Sequence, residues 1–210
     1  MELHLRKKGV VKMIPVKMQP EPPNFDVKVR QRGHKWLRKN NINPNEPPPT
    51  LPKIKDYWRN CLEDLYFAYS GVCAYLAFHF EWASGPTTDH FVPKSKNAGL
   101  AYEWSNYRLA CLSANRNKRD YTDILDPFML LPNTFELELS TGEIIVNRNI
   151  GDVAYQKIAQ TTIDRLELNH KHYRDMRARH FVDYIKYGDA DTLKDQNPFV
   201  YNEAKRQKML

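Results

Sequence analysis

Cysteine is scarce in this chain. Cys61, Cys73 and Cys111 are the only three among 210 residues. Three is too few, and odd, for the disulfide framework of a small secreted scaffold, so a reducing cytoplasm is the expected compartment. Long apolar runs are missing as well. No stretch reaches the roughly 20 apolar residues that span a bilayer. The opening Met-Glu-Leu-His-Leu-Arg-Lys-Lys is not followed by the apolar segment of a signal peptide, so no membrane partner is expected. There is no internal repeat, no low-complexity tract beyond the prolines, and no base-reading module such as a zinc finger. With 41% hydrophobic, 12% aromatic and 27% charged residues and a mean hydropathy of −0.69, the chain is neither membrane-like nor disordered. Its length suits one ordinary domain, or a small domain with arms, and suffices to bury a core.

Charge is present, and unevenly spread. The net charge is +7, with 32 Lys and Arg against 25 Asp and Glu. Residues 1–40 hold 11 basic and 3 acidic side chains; residues 41–210 hold 21 and 22. A basic arm on a neutral body points to a polyanion partner, most simply nucleic acid. A tail that only keeps the protein soluble is the alternative.

Pro-Glu-Pro-Pro at 20–23 and the proline cluster at 44–52 predict extended chain. Between them, Phe25, Val27, Val29, Trp36 and Leu37 are apolar anchors in a basic stretch, which suggests docking. Trp58, Leu62, Leu65, Tyr66 and Tyr69 recur at helical spacing and predict a helix over 56–69, with Asp56 as N-cap. Residues 72–80 are apolar and read as a strand. Short strands are expected at 87–92 and 107–112, followed by a helix over 113–121 capped by Ser113. A hairpin is expected around Ser-Thr-Gly-Glu at 140–143. Two helices, 153–168 and 170–187, are expected to break near Asn169. Arg174, Arg177 and Arg179 read as a solvated face, and Trp58 as core.

The informative segment runs from Thr88 to Asp120: T-D-H-F-V-P-K-S, a loop, then W-S-N-Y-R-L-A-C-L-S-A-N-R-N-K-R-D. Asp89 and His90 are adjacent, so in a strand they face opposite sides. One can hold a metal while the other works on a water, if both sides border a cleft. Asn115 opens the following helix and could complete the metal site; Asn117 is its competitor. Asn106 could hold the long loop by hydrogen bonds. These residue types suit phosphodiester hydrolysis. Histidine is the side chain poised to take a proton from water near neutral pH, and a divalent ion stabilises charge on the phosphate. Oxygen ligands without a nearby thiolate favour Mg²⁺ or Mn²⁺. Arg116, Lys118 and Arg119 are candidate phosphate-binding residues.

This segment resembles the HNH endonuclease motif, in the Asp-His…Asn…Asn form found in the HNH domain of RNA-guided CRISPR nucleases. The match covers about 35 residues in which type, order and strand-helix context agree. The resemblance implies Asp89 and Asn115 as metal ligands, and His90 as general base with Asn106 as the middle Asn of the catalytic set. Lys118 fits the Asn-x-x-Lys ending. It further implies an α+β fold with a ββα-metal core wrapped by helices. In that reading residues 1–52 form an extended basic N-terminal arm, 53–150 the nuclease core with flanking helix and hairpin, and 151–210 a helical segment. Outside the motif, Cys-Ala-Tyr-Leu, Leu-Asp-Pro-Phe and Thr-Ile-Asp-Arg-Leu-Glu-Leu-Asn are similar to stand-alone bacterial HNH proteins, and to the HNH component of Septu-type phage-defence systems.

Many relatives carry paired Cys-x-x-Cys knuckles for zinc. Here the matching pairs are Cys73…Leu76 and Cys111…Ala114, each without its second cysteine. Two thiolates do not close a four-ligand site, so no structural zinc is expected. The expected activity is metal-dependent hydrolysis of nucleic acid, DNA first. The rivals are a catalytically silent binding module and a nuclease that needs a protein partner such as an ATPase.

Overall fold

The computed structural model describes residues 16–210 and shows a mixed α+β architecture. The part of the basic arm before residue 16 lies outside the described residues. The remainder of that arm is not an extended tail. A π-type turn at Asp26–Arg30 leads into α1, Gln31–Lys39. Phe25, Val29, Gly33 and Leu37 recur every fourth residue, which puts them on one helical face. All four are buried, the three apolar side chains at 0–1% exposure. Phe25 packs edge-on against Trp104 and Tyr107, with ring centroids 5.6 and 5.8 Å away. Gly33 is required by contact: a Cβ there would lie 2.1 Å from Tyr102 Cγ. The flanking prolines and the basic composition hid this helix in the sequence, and its fourfold spacing was the signal.

A 3₁₀ turn, Tyr57–Cys61, precedes α2, Leu62–Ala68, where one helix was expected. Asp56 makes no side-chain cap. The apolar run 72–80 is not a strand. It folds back on itself with a single bridge between Val72 and His79, and the Ala74 amide donates to the Leu109 carbonyl at 2.8 Å. Strands β1, Pro86–His90, and β2, Tyr107–Cys111, form an antiparallel hairpin with Asp89 opposite Arg108 and His90 opposite Tyr107. Helix α3, Leu112–Lys118, follows at once, without the Ser113 cap. A second hairpin pairs β3, Phe135–Glu138, with β4, Glu143–Val146.

Helices α4, Val153–Arg165, and α5, Lys171–Tyr187, break at Asn169, whose amide both accepts from and donates to Ile144 on β4. Arg177 is fully buried rather than solvated. Its guanidinium donates to the carbonyls of Gly142 and Leu168, tying the second hairpin to the end of α4. Two further helices close the chain, α6, Ala190–Gln196, and α7, Pro198–Arg206. Asn197 caps α7, and buried Glu203 accepts from the Leu137 amide on β3. Among the described residues no helix is long and apolar enough to cross a membrane.

Because Phe25, Val29 and Leu37 are core, deletion of residues 1–40 is expected to abolish cooperative unfolding. Losing one buried Phe alone costs about 3–5 kcal/mol, comparable to the net stability of many domains. A truncated chain with a wild-type melting transition in calorimetry would show that the packing of α1 is dispensable.

Candidate functional site

Strand β1, the loop after it, helix α3 and the 3₁₀ turn before α2 border a cleft of about 690 Å³. Asp89, His90 and Asn115 all line it, along with Trp58, Lys94 and Arg119. Both faces of the strand therefore border the same space, as adjacent Asp and His require.

Asp89 is 3% exposed. Tyr75, in the folded-back turn, donates its hydroxyl to Asp89 Oδ2, which steadies the carboxylate and leaves Oδ1 for another partner. Burial raises the Asp89 carboxyl above the usual range, and the charge of nearby Lys118 works against that rise. His90 is buried too, with Trp58 edge-on at 4.7 Å and Tyr107 at 5.2 Å. Its Nε2 lies 3.1 Å from the Ala101 carbonyl. A carbonyl only accepts, so Nε2 carries the proton and Nδ1 keeps its lone pair. Burial, reinforced by the charge of Lys94, pushes this imidazole down to about 3, so the ring is neutral.

The Asn115 amide is oriented by similar logic. The Thr87 hydroxyl spends its proton on the Ala110 carbonyl at 2.7 Å, so it can only accept from Asn115 Nδ2 at 3.0 Å. Asn115 Oδ1 is left open. Thr87 and Asp89 are two residues apart on one strand face, so Asn115 stands on the Asp89 side. A carboxylate and an amide carbonyl are hard oxygen donors that suit Mg²⁺ or Mn²⁺. Asn117 points elsewhere: its Nδ2 donates to the Leu166 carbonyl and Glu167.

Two expected phosphate contacts, Lys118 and Arg116, are not seen at the cleft. Lys118 is 0% exposed, and its ammonium donates to the carbonyls of His90 at 3.2 Å and Phe91 at 2.9 Å. It holds the strand end and has no path to a phosphate. Asn106 holds the loop by hydrogen bonds, as expected from its place before the second strand. Its Oδ1 accepts from the Val92 amide, and its Nδ2 donates to the carbonyls of Val92 and Leu100, so its amide pins the loop behind His90. Arg116 is exposed and does not line the cleft. Arg119 does line it, with φ 49° and ψ −132°, a backbone region that only glycine occupies without strain.

Sequence reading missed Lys94, Tyr75 and the role of Trp58. Trp58 is half-buried, packed against the core as expected and also forming a wall of the cleft, and Lys94 Nζ stands 5.5 Å from its ring centroid. The position of Lys94, four residues after His90, was the available signal. Tyr75 had none, because its contact with Asp89 depends on the turn at 73–76.

At the positions of the incomplete knuckles, Cys73, Leu76, Cys111 and Ala114 are all buried. Cys111 Sγ lies 3.4 Å from the Ser113 hydroxyl, and burial raises the Cys73 thiol above its ordinary value. Compared with known proteins, the chain matches no family model and no curated protein.

Two outcomes follow from this packing. Arg119→Gly should raise the melting midpoint by roughly 2–5 °C, since strain of this kind costs on the order of 1–3 kcal/mol; a lower midpoint than wild type would mean the backbone is not strained. Metal analysis of protein purified without chelators should find no stoichiometric zinc, because apolar Leu76 and Ala114 face the two thiols' region of the core. One tightly held zinc per chain, lost in Cys73→Ser, would refute this.

Proposed function

We propose that this chain is an HNH-type, metal-dependent endonuclease that hydrolyses phosphodiester bonds of nucleic acid, DNA first. The single observation that supports the reading best is the convergence in one cleft of a steadied carboxylate, an oriented amide carbonyl and a neutral imidazole with a free lone pair. Their strand-strand-helix setting matches the ββα-metal order that the sequence resemblance implies.

In this reading Asp89 and Asn115 hold Mg²⁺ or Mn²⁺. When bound, the ion supplies charge stabilisation to the phosphate and the departing 3′ oxygen. His90 Nδ1 accepts a proton from water, and the resulting hydroxide attacks phosphorus. The new P–O bond forms as the bond to the 3′ oxygen breaks, and that oxygen is protonated from solvent. The Ala101 carbonyl keeps the imidazole in the required tautomer. Lys94 and Arg119 provide positive charge on the cleft walls to hold phosphates. No ion pair involves either side chain among the described residues.

His90→Ala is expected to abolish nicking of supercoiled plasmid in Mg²⁺ while leaving the overall fold and DNA affinity largely intact, with a lower melting midpoint because the ring is buried. Asp89→Ala should lose both nicking and Mg²⁺ binding by calorimetry. Asn115→Ala should lose them more mildly, because a neutral amide contributes less than a carboxylate. Near wild-type cleavage by His90→Ala would remove it as the base. DNA binding by the wild type with no cleavage in either metal, alone or with a co-expressed ATPase partner, would favour a silent binding module.

A further inference from the structure

Arg119 borders a second pocket as well as the cleft. This neighbour has a volume of about 400 Å³ and lies where the end of α3 meets the end of α4. Its wall is a stacked pair: the Arg165 guanidinium sits 4.2 Å from the centroid of the Tyr121 ring. The pair is held from both sides. Asp123 accepts from Arg165 at 3.0 Å, and the Tyr121 amide donates to the carbonyl of the buried Lys118. Arg165 still keeps 42% of its side-chain exposure, so the plane is not sealed under other side chains.

The rim of this pocket is rich in acceptors. Asp164 and Glu167 bring carboxylates, and Asn117 spends its Nδ2 on Leu166 and Glu167, which leaves its carbonyl oxygen. A phosphate group does not suit a pocket with two carboxylates at its edge, and an apolar ligand does not suit so polar a lining. A flat ring with amino groups at its edge suits both features. Guanidinium planes are stacking surfaces for unpaired bases, and carboxylates accept from exocyclic amino groups.

We propose that this pocket seats the base of the nucleotide next to the phosphate in the cleft, with Arg119 holding the phosphate between the two compartments. The identity of the cleft's occupant rests on the nuclease reading; the stacking platform rests on the Arg165–Tyr121 pair. A base can enter only from a single strand or from a locally opened duplex.

The test uses the full chain carrying His90→Ala, with a fluorescein-labelled 12-nucleotide single-stranded DNA and a fully abasic strand of the same length. Fluorescence anisotropy gives the ratio of their dissociation constants. Stacking of one base should make that ratio about tenfold. It should fall by threefold or more in Arg165→Met. Arg165→Lys, which keeps the charge but not the plane, should lower the ratio equally while leaving the salt dependence of binding unchanged. Thr161→Phe, one turn before Arg165 on α4, narrows the pocket while keeping the Arg165 guanidinium, and should do the same. An unchanged ratio in all three variants, each with the melting midpoint of the His90→Ala parent, would overturn the proposal. Plasmid nicking by the wild type is measured in parallel. Cleavage with an unchanged ratio sinks the base pocket alone, whereas a ratio that falls as expected without cleavage, alone or with a co-expressed ATPase partner, sinks the nuclease reading and leaves the platform standing.

Discussion

A buried ammonium ties the site together. Lys118, at the end of α3, donates to the carbonyls of His90 and Phe91 at the end of β1. Burying such a charge is costly unless it is hydrogen-bonded and balanced, and the Asp89 carboxylate is the nearby opposite charge. This tie sets how α3 lies on the hairpin. It brings Asn115, one turn earlier, against Thr87. It also forces the chain to turn immediately afterwards, which leaves Arg119 in its strained conformation between two compartments. One lysine thus fixes the relative positions of the imidazole, the amide and the guanidinium without reaching the cleft itself.

The same economy appears at the N-terminus. The helix that carries much of the positive charge also supplies core. Phe25, Val29 and Leu37 fill space beside Trp104 and Tyr107, while Arg32, Lys35, Arg38 and Lys39 stay on the exposed side. Charge and packing are separable on this helix, because the fourfold spacing of its apolar residues leaves the other face free. A contact chain then runs from Gly33 to Tyr102, from Tyr102 to Trp58, and from Trp58 to His90. The wall of the cleft therefore depends on packing that begins in a segment whose composition reads as a tail.

Around the thiols, close packing of small and apolar side chains fills the space. The turn at 73–76 keeps its backbone tie to Leu109 and presents Tyr75 to Asp89. Cys73, Leu76, Cys111 and Ala114 sit buried together with no exposed polar surface. What the turn contributes to the site is the Tyr75 hydroxyl, and close packing of small and apolar side chains is enough to hold it there.

The sequence by itself determined the local elements whose signals are local. The alternation around Asp89 and His90, the turn residues of the second hairpin and the break at Asn169 could be read from neighbouring residues, because strand alternation and turn chemistry act over a few positions. It also determined which chemistry-bearing types stand close along the chain. Tertiary structure decided the rest. Whether a lysine grips phosphate or carbonyls depends on burial: Lys118 suits a phosphate clamp by its place in the motif and Arg177 a solvated face by its neighbours, yet both are buried on backbone carbonyls. Whether residues 26–39 trail or pack depends on a partner surface, Tyr102 and Trp104, that lies more than sixty residues further along. Tyr75 meets Asp89 through the fold-back of 72–80, and Arg165 meets Tyr121 across 44 residues; neither pairing is set by local periodicity.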